Sequence, residues 1–170
     1  MKSLPQIEVI PAAAEQEPVL ANLFQLYAHD FSEFLDLPLL ADGRFGGYKD
    51  LPLYWREAGR HPFLVWADGK LAGFVLVRRG SEFSGHKNVW DMAEFFVIRA
   101  YRRRGIGTQI AHDVWQRLPG PWEIRVMEAN VSALRFWERA IAAFTGEVVP
   151  AFRVEKDGQG WKLFSFESVR

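Results

Sequence analysis

Two groups of residues in this sequence have types and spacing that could do chemistry. The first lies in "EFFVIRAYRRRGIGTQIA", where Arg99, Arg102, Arg103 and Arg104 surround a turn and Gly105 and Gly107 open a helix. The first turn of a helix carries N–H groups without intrahelical partners and a partial positive charge. Glycine keeps side chains away from that backbone, and arginine adds charge-assisted hydrogen bonds. This is the chemistry of a phosphate or pyrophosphate site. The second group is a pair of carboxylates, Asp91 and Glu94, which interrupt the otherwise apolar run "NVWDMAEFFVI". A carboxylate in a binding site can take a proton from a bound ligand. Strand alternation puts Asp91 and Glu94 on opposite faces unless a bulge intervenes, so at most one of them is expected to face a substrate. Glu123 and Glu128, on "WEIRVME", are weaker candidates.

The spacing narrows the phosphate ligand. A P-loop needs Gly-Lys-Ser/Thr, and here Thr108 follows Gly107 directly. A dinucleotide fingerprint needs a third glycine where Ile110 stands, and it normally belongs to a first βαβ unit. Both fits are poor. The sequence has no cysteine, which excludes a disulfide framework and a thiol nucleophile. His29, His61, His86 and His112 show no metal-ligand spacing, so no metal is expected.

These residues need a scaffold to hold them. Residues 4–11 read as a first strand. Pro18 fits a first helical turn, and Leu20, Leu23, Phe24, Tyr27, Phe31 and Phe34 follow at helical spacing, predicting a helix over roughly 15–35. Residues 36–50 read as a loop, with a short helix near Leu53–Ala58. "PFLVWADGKLAGFVLVRR" is a hairpin around Asp68-Gly69, since both residue types tolerate positive φ. "NVWDMAEFFVI" is a third strand of this series, and "GIGTQIAHDVWQRL" is a helix stopped by Pro119-Gly120-Pro121. After the strand "WEIRVME", Asn130 or Ser132 caps another helix. A last strand pair closes around Asp157-Gly158. The predicted order is β-α-α-β-β-β-α-β-α-β-β: an α/β (α+β) domain with one mixed sheet of about seven strands flanked by about four helices.

Arg102-x-x-Gly105-x-Gly107, preceded by a strand ending in Val97, resembles motif A of the GNAT superfamily of N-acetyltransferases. "NVSALRFW" resembles that superfamily's Asn-x-x-Ala-x-x-Phe-Tyr helix, with Asn130, Ala133 and Phe136 in place. The element order is similar too, and the resemblance covers nearly the whole chain. It implies acetyl-CoA as co-substrate. It implies that Phe95, Phe96 and Val97 pair with the pantetheine arm, and that the backbone from Arg102 through Arg103, Arg104, Gly105, Ile106 and Gly107 to Thr108 holds the pyrophosphate. An N–H near Val97 would polarise the thioester carbonyl, and Asn130 would contact the cofactor or an ordered water. Asn130 is equally suited to be a plain helix cap. Glu94 lies closer to the expected carbonyl site, whereas Asp91 lies where some members of the superfamily carry their base. One position departs from the pattern. Trp137 stands where many members have a tyrosine that protonates the departing thiolate, and indole has no useful acid function. Tyr27, Tyr48, Tyr54 or water could serve instead. The Phe-Trp pair is similar to that of a little-characterised set of predicted acetyltransferases.

Composition sets the outer bounds. With 170 residues, nearly half of them apolar, a single domain over 1–170 with a sizeable core is expected. The formal net charge is zero, which argues against bulk attraction to nucleic acid or to an anionic membrane. Most of the 14 Phe and 7 Trp are expected in the core, with Phe45, Tyr48 and Trp55 held back as acceptor-pocket candidates because they sit in a loop-rich region. The expectation is a cytoplasmic N-acetyltransferase, monomer or homodimer, acting on a primary amine of a small molecule or peptide. The alternatives are a non-catalytic acyl-CoA-binding or sensing domain and a nucleic-acid-binding domain that uses the Arg loop.

Overall fold

The computed structural model describes residues 4–169. The chain starts with β1 (Ile7–Pro11) and α1 (Glu17–Phe31), then forms β2 (Arg60–Ala67), β3 (Lys70–Arg79) and β4 (Trp90–Val97). It continues through α2 (Ile106–Arg117), β5 (Gly120–Met127), α3 (Val131–Thr145), β6 (Phe152–Lys156) and β7 (Gln159–Ser168). The β2–β3 hairpin turns on Asp68 and Gly69 at φ of 49° and 71°, and the β6–β7 hairpin on Asp157 and Gly158 at 53° and 73°. These left-handed pairs suit the twist of tight hairpins, so both turns form where the residue types place them. α3 starts on Asn130, whose side chain accepts a hydrogen bond from the Ala133 amide at 3.1 Å, and ends on Gly146 at φ 81°. The predicted short helix after the loop is instead a 3₁₀ turn, Leu51–Trp55. Helix α1 stops at Phe31, short of the predicted 35. The described residues therefore carry three α-helices rather than four. "LPLYW" combines a proline with bulky residues that favour a single tight turn over a propagated helix.

All seven strands form one sheet in the order β1-β2-β3-β4-β5-β7-β6. One face carries α2 and α3 over Val65, Val75, Val77, Ile124, Val126 and Phe164. The other carries α1, whose Leu20 and Leu23 bury against Leu64, Phe74, Leu76 and Phe96. Every neighbouring pair is antiparallel except β4 and β5. That parallel pair is short: Trp90 pairs with Trp122 and Asp91 with Glu123, and then the strands part. The sheet is thus split at its centre, and beyond Asp91 β4 is paired on its β3 side alone.

That one-sided hold is tight. Gly73 of β3 pairs with Val97, and a Cβ at Gly73 would collide with the carbonyl oxygen of Phe96. Gly46, in the loop after α1, would meet nothing within 4 Å. Gly73→Ala is therefore expected to cost about 3 kcal/mol, and Gly46→Ala to stay within about 0.5 kcal/mol of wild type. Urea unfolding measures both, and equal midpoints would show that the β3–β4 spacing relaxes freely.

Candidate active site

The register between β3 and β4 decides where the two carboxylates point. Leu76 pairs with Glu94 but the next residue, Val77, pairs with Met92, so Ala93 is an extra residue in β4. This bulge resets the alternation. Asp91 and Glu94 consequently share the face that carries α1, not opposite faces as strict alternation predicts. Arg125, on β5 across the split, reaches both: Nη1 donates to Asp91 Oδ1 at 2.6 Å, and Nη2 lies 3.9 Å from Glu94 Oε1. Nη2 also donates to the Ala93 carbonyl at 2.8 Å.

The carboxylates have different surroundings. Asp91 is buried, and its second oxygen accepts from Arg78 Nε at 2.9 Å. Both oxygens are therefore taken by guanidinium groups, and Asp91 is not on the wall of the cavity beside it. Glu94 is on that wall. Tyr27 of α1 donates its hydroxyl to Glu94 Oε2 at 2.6 Å. Burial pushes the Glu94 carboxyl above its ordinary value, and the Arg125 charge and the Tyr27 hydrogen bond only partly oppose this. Burial, reinforced by the Glu94 charge, holds the Tyr27 hydroxyl well above its own, so it remains a donor.

The cavity has a volume of about 640 Å³ and runs through the split in the sheet. Its α1 end is walled by Phe24, Tyr27 and Phe31 and by the loop after that helix. Its other end is walled by Phe95, Asn130, Ala133 and Trp137. Glu94 stands between the two ends, on the bulged strand. The loop wall is fastened by Gln25, whose side-chain amide donates to the Phe45 carbonyl at 3.1 Å and accepts from the Phe45 amide at 2.8 Å.

The arginine-glycine turn lies beside the far end. Gly107 touches Phe136, which stacks on Phe95 with ring centroids 5.8 Å apart, and Phe95 lines the cavity. The two glycines serve different needs from the clearance expected for both. Gly105 has φ 73° and is the α2 N-cap. A Cβ on Gly107 would lie 2.9 Å from the Phe136 ring, so this glycine admits α3 against α2. Among the described residues no side chain caps α2, and its first-turn amides, from Ile106 to Thr108, have no intrahelical acceptors. The Ile106 side chain itself is core. Arg103 takes a left-handed φ of 62° and, like Arg104, is exposed.

Arg102 is committed within the protein. Its Nε donates to the Val97 carbonyl at 2.6 Å, its Nη2 pairs with Asp30 at the end of α1, and its amide bonds to the Arg99 carbonyl at 3.1 Å. Of the three strand residues implied for the pantetheine arm, Phe95 faces the cavity, Phe96 packs in the α1-side core, and Val97 has its carbonyl bound to Arg102. Glu123 is buried, with His86 Nδ1 at 3.8 Å, and Glu128 pairs with Arg153 at 3.0 Å. Trp137 packs on Phe95 and Phe136 at centroid distances of 5.0 and 4.8 Å. Of the held-back aromatics, Phe45 and Tyr48 line the cavity, whereas Trp55 donates to the Ala12 carbonyl at 2.8 Å. Among the described residues no group of three or more His, Asp or Glu is arranged to hold a metal ion, and no helix is long and apolar enough to cross a membrane.

Sequence reasoning passed over Arg125, Arg78 and Gln25. A polar residue in an apolar strand is the one available signal for Arg125, and it is the same signal that singled out Asp91 and Glu94. Gln25 sits on a polar helix position and gives none.

Two stability outcomes follow from this arrangement. Asp91→Ala leaves Arg78 and Arg125 without their shared carboxylate and is expected to cost about 3 kcal/mol or more. For Glu94 the folded-state pKa exceeds the unfolded one. Its contribution to stability is then full below the unfolded value, about 4.3, and is lost as pH rises through the folded value. Glu94→Gln escapes that loss, so its stability relative to wild type should increase with pH across this window. Urea unfolding from acid to neutral pH measures the difference, and a constant difference would refute the assignment.

Comparisons with known proteins agree with this architecture. The model of the acetyltransferase (GNAT) family matches residues 20–142. A comparison with curated proteins finds no match. Among solved structures, an acetyltransferase from Thermus thermophilus superposes with a TM-score of 0.67 at 17% identity, covering 96% of this chain and 98% of that one. A GNAT-family acetyltransferase from Streptococcus pneumoniae gives 0.60 at 13% identity over 95% and 99%. A spermidine N-acetyltransferase mutant from Vibrio cholerae gives 0.61 at 10% identity over 96% and 94%. At these identities the structures speak for the fold, and the family match covers most of the sequence. With a split sheet, a buried carboxylate at the split and an uncapped helix beside it, the chain belongs to the GNAT family of acetyltransferases.

Proposed function

We propose that this acetyltransferase moves an acetyl group from acetyl-CoA to a primary amine by direct transfer, with donor and acceptor meeting in the split between β4 and β5. The observation that carries this reading is the position of Glu94. It lies on a cavity that is open to α1 on one side and to α3 on the other. The residues suited to the donor lie toward α3: Phe95 and Asn130 on the cavity wall, and the backbone from Arg103 to Thr108 with the exposed Arg103 and Arg104 side chains. The uncapped α2 start and the left-handed turns at Arg103 and Gly105 suit a pyrophosphate. When bound, acetyl-CoA supplies an activated thioester.

The reaction balances simply. An alkylammonium loses a proton, its nitrogen bonds to the acetyl carbon, the carbon–sulfur bond breaks, and an amide, free CoA and a proton result. An amine with a pKa of about 10 is mostly protonated at neutral pH, so a base must work before attack. Glu94, raised by burial, is better matched to that task than an ordinary carboxylate. Tyr27 holds it in place through Oε2, leaving Oε1 for the proton. Asp91, enclosed by two arginines, acts in this reading through Arg125 and does not touch the acceptor. The proposed acceptor is an amine of a small molecule or peptide, and the proposed setting is the cytoplasm.

Release of free CoA from acetyl-CoA across a panel of amines tests the reading. Glu94→Gln should lower kcat/KM by about 10²–10⁴-fold and remove the acidic limb of its pH profile, with acetyl-CoA affinity unchanged. Replacing Arg103 and Arg104 together by serine should weaken acetyl-CoA binding about tenfold, measured by calorimetry. Tight acetyl-CoA binding without transfer to any amine would instead mark an acyl-CoA-sensing module.

A further inference from the structure

The α1 end of the cavity has a composition that selects among amines. Its wall is mostly Phe24, Phe31, Leu35, Leu37, Leu40 and Phe45, with the neutral hydroxyls of Tyr27 and Tyr48 as its side-chain polar groups besides Glu94 and Arg125. Among the described residues, Glu94 is the one carboxylate on the entire wall and Arg125 the one cation. The charge of Arg125 is already paired: Nη1 donates to Asp91 at 2.6 Å, and Nη2 donates to the Ala93 carbonyl at 2.8 Å. The cations of the wall-forming loop, Arg44 and Lys49, lie off the wall, and Arg44 is paired with Asp42 at 2.7 Å.

We infer that the acceptor is a compact primary amine borne on an uncharged apolar or aromatic body, with no carboxylate and no second ammonium. This rests on the proposed transfer reaction and deepens it. One ammonium has one partner, Glu94. A second ammonium would lie among phenylalanine, leucine and tyrosine side chains with no second carboxylate, where an unbalanced charge is strongly disfavoured. A substrate carboxylate would find no free cation on this wall and would approach Glu94, a like charge. An apolar body removes its own surface and that of the wall from water. The cavity volume of about 640 Å³ fits the range of roughly 300–1,000 Å³ typical of small-molecule sites. The Gln25–Phe45 bonds hold the loop wall in place before any ligand arrives, which favours a ligand of fixed, compact shape.

The test compares phenethylamine with phenylalanine, spermidine and a C-terminally amidated hexapeptide that has a free N-terminus and no charged side chain. Acetylation is followed by CoA release, and binding by calorimetry on the full chain. Phenethylamine should exceed each of the other three in kcat/KM by about tenfold or more. Its binding should be undiminished by removing acetyl-CoA. Leu40 lines the cavity and is half exposed, so a substitution there is expected to fold. Leu40→Glu adds a second carboxylate there and should lower the phenethylamine-to-spermidine ratio about tenfold. Preference for spermidine, phenylalanine or the hexapeptide in the wild-type protein would overturn the inference and leave amine acetylation standing. Phenethylamine bound at the wall, lost in Phe45→Asp and never acetylated, would uphold the ligand class read from the wall and overturn the transfer reaction. Failure of phenethylamine to bind, with or without acetyl-CoA, overturns the inference whatever else is acetylated.

Discussion

The guanidinium of Arg125 bridges the place where the sheet comes apart. Below it, β4 and β5 still pair at Trp90–Trp122 and Asp91–Glu123; above it they do not. A strand that leaves its neighbour inside a protein exposes backbone groups that must find other partners, at about 1–3 kcal/mol for each one left unsatisfied. Arg125 meets the nearest one by donating to the Ala93 carbonyl. Its own charge is balanced by Asp91, which is balanced in turn by Arg78, and Arg78 by the surface residue Glu82 at 2.9 Å. The ion chain runs from the split to the solvent edge of the sheet. A split sheet is tenable because this chain closes it electrostatically, and the cavity exists because the sheet is split.

The bulge at Ala93 determines which carboxylate is used for that chain and which is left over. With one residue added to β4, Asp91 and Glu94 come to one face, and Arg125 can satisfy only one of them at close range. Asp91 receives two guanidinium groups. Glu94 receives a tyrosine hydroxyl and a more distant cation, and so carries an uncompensated burial cost. That cost opposes stability at neutral pH and favours proton uptake. Such opposition is characteristic of sites built for acid–base work.

On the far side, packing ties the helix start to the cavity. Gly107 lets Phe136 approach α2, Phe136 stacks on Phe95, and Trp137 fills the corner between Phe95 and Trp115. Trp137 is thus a wall and a wedge, held on three sides by aromatic rings. The tyrosine in contact with the buried carboxylate comes from α1, on the opposite face of the sheet.

Local chemistry in the sequence determined much of this. Asp-Gly pairs placed both hairpins, Asn130 placed the start of α3, and glycine after an arginine run placed the start of α2, because each depends on residues a few positions apart. Two motifs with matching element order were enough to point to the family. The second short helix was misread because apolar spacing over five residues cannot tell a 3₁₀ turn from a helix. Other features required the tertiary structure. The insertion of β7 between β5 and β6, the parting of β4 from β5 and the bulge at Ala93 are set by long-range pairing. The roles of Asp91, Glu94 and Arg102 follow from those pairings. Their types advertised charge, but only the neighbours that folding brings from α1, β3 and β5 determine which charges are balanced and which carboxylate faces the cavity.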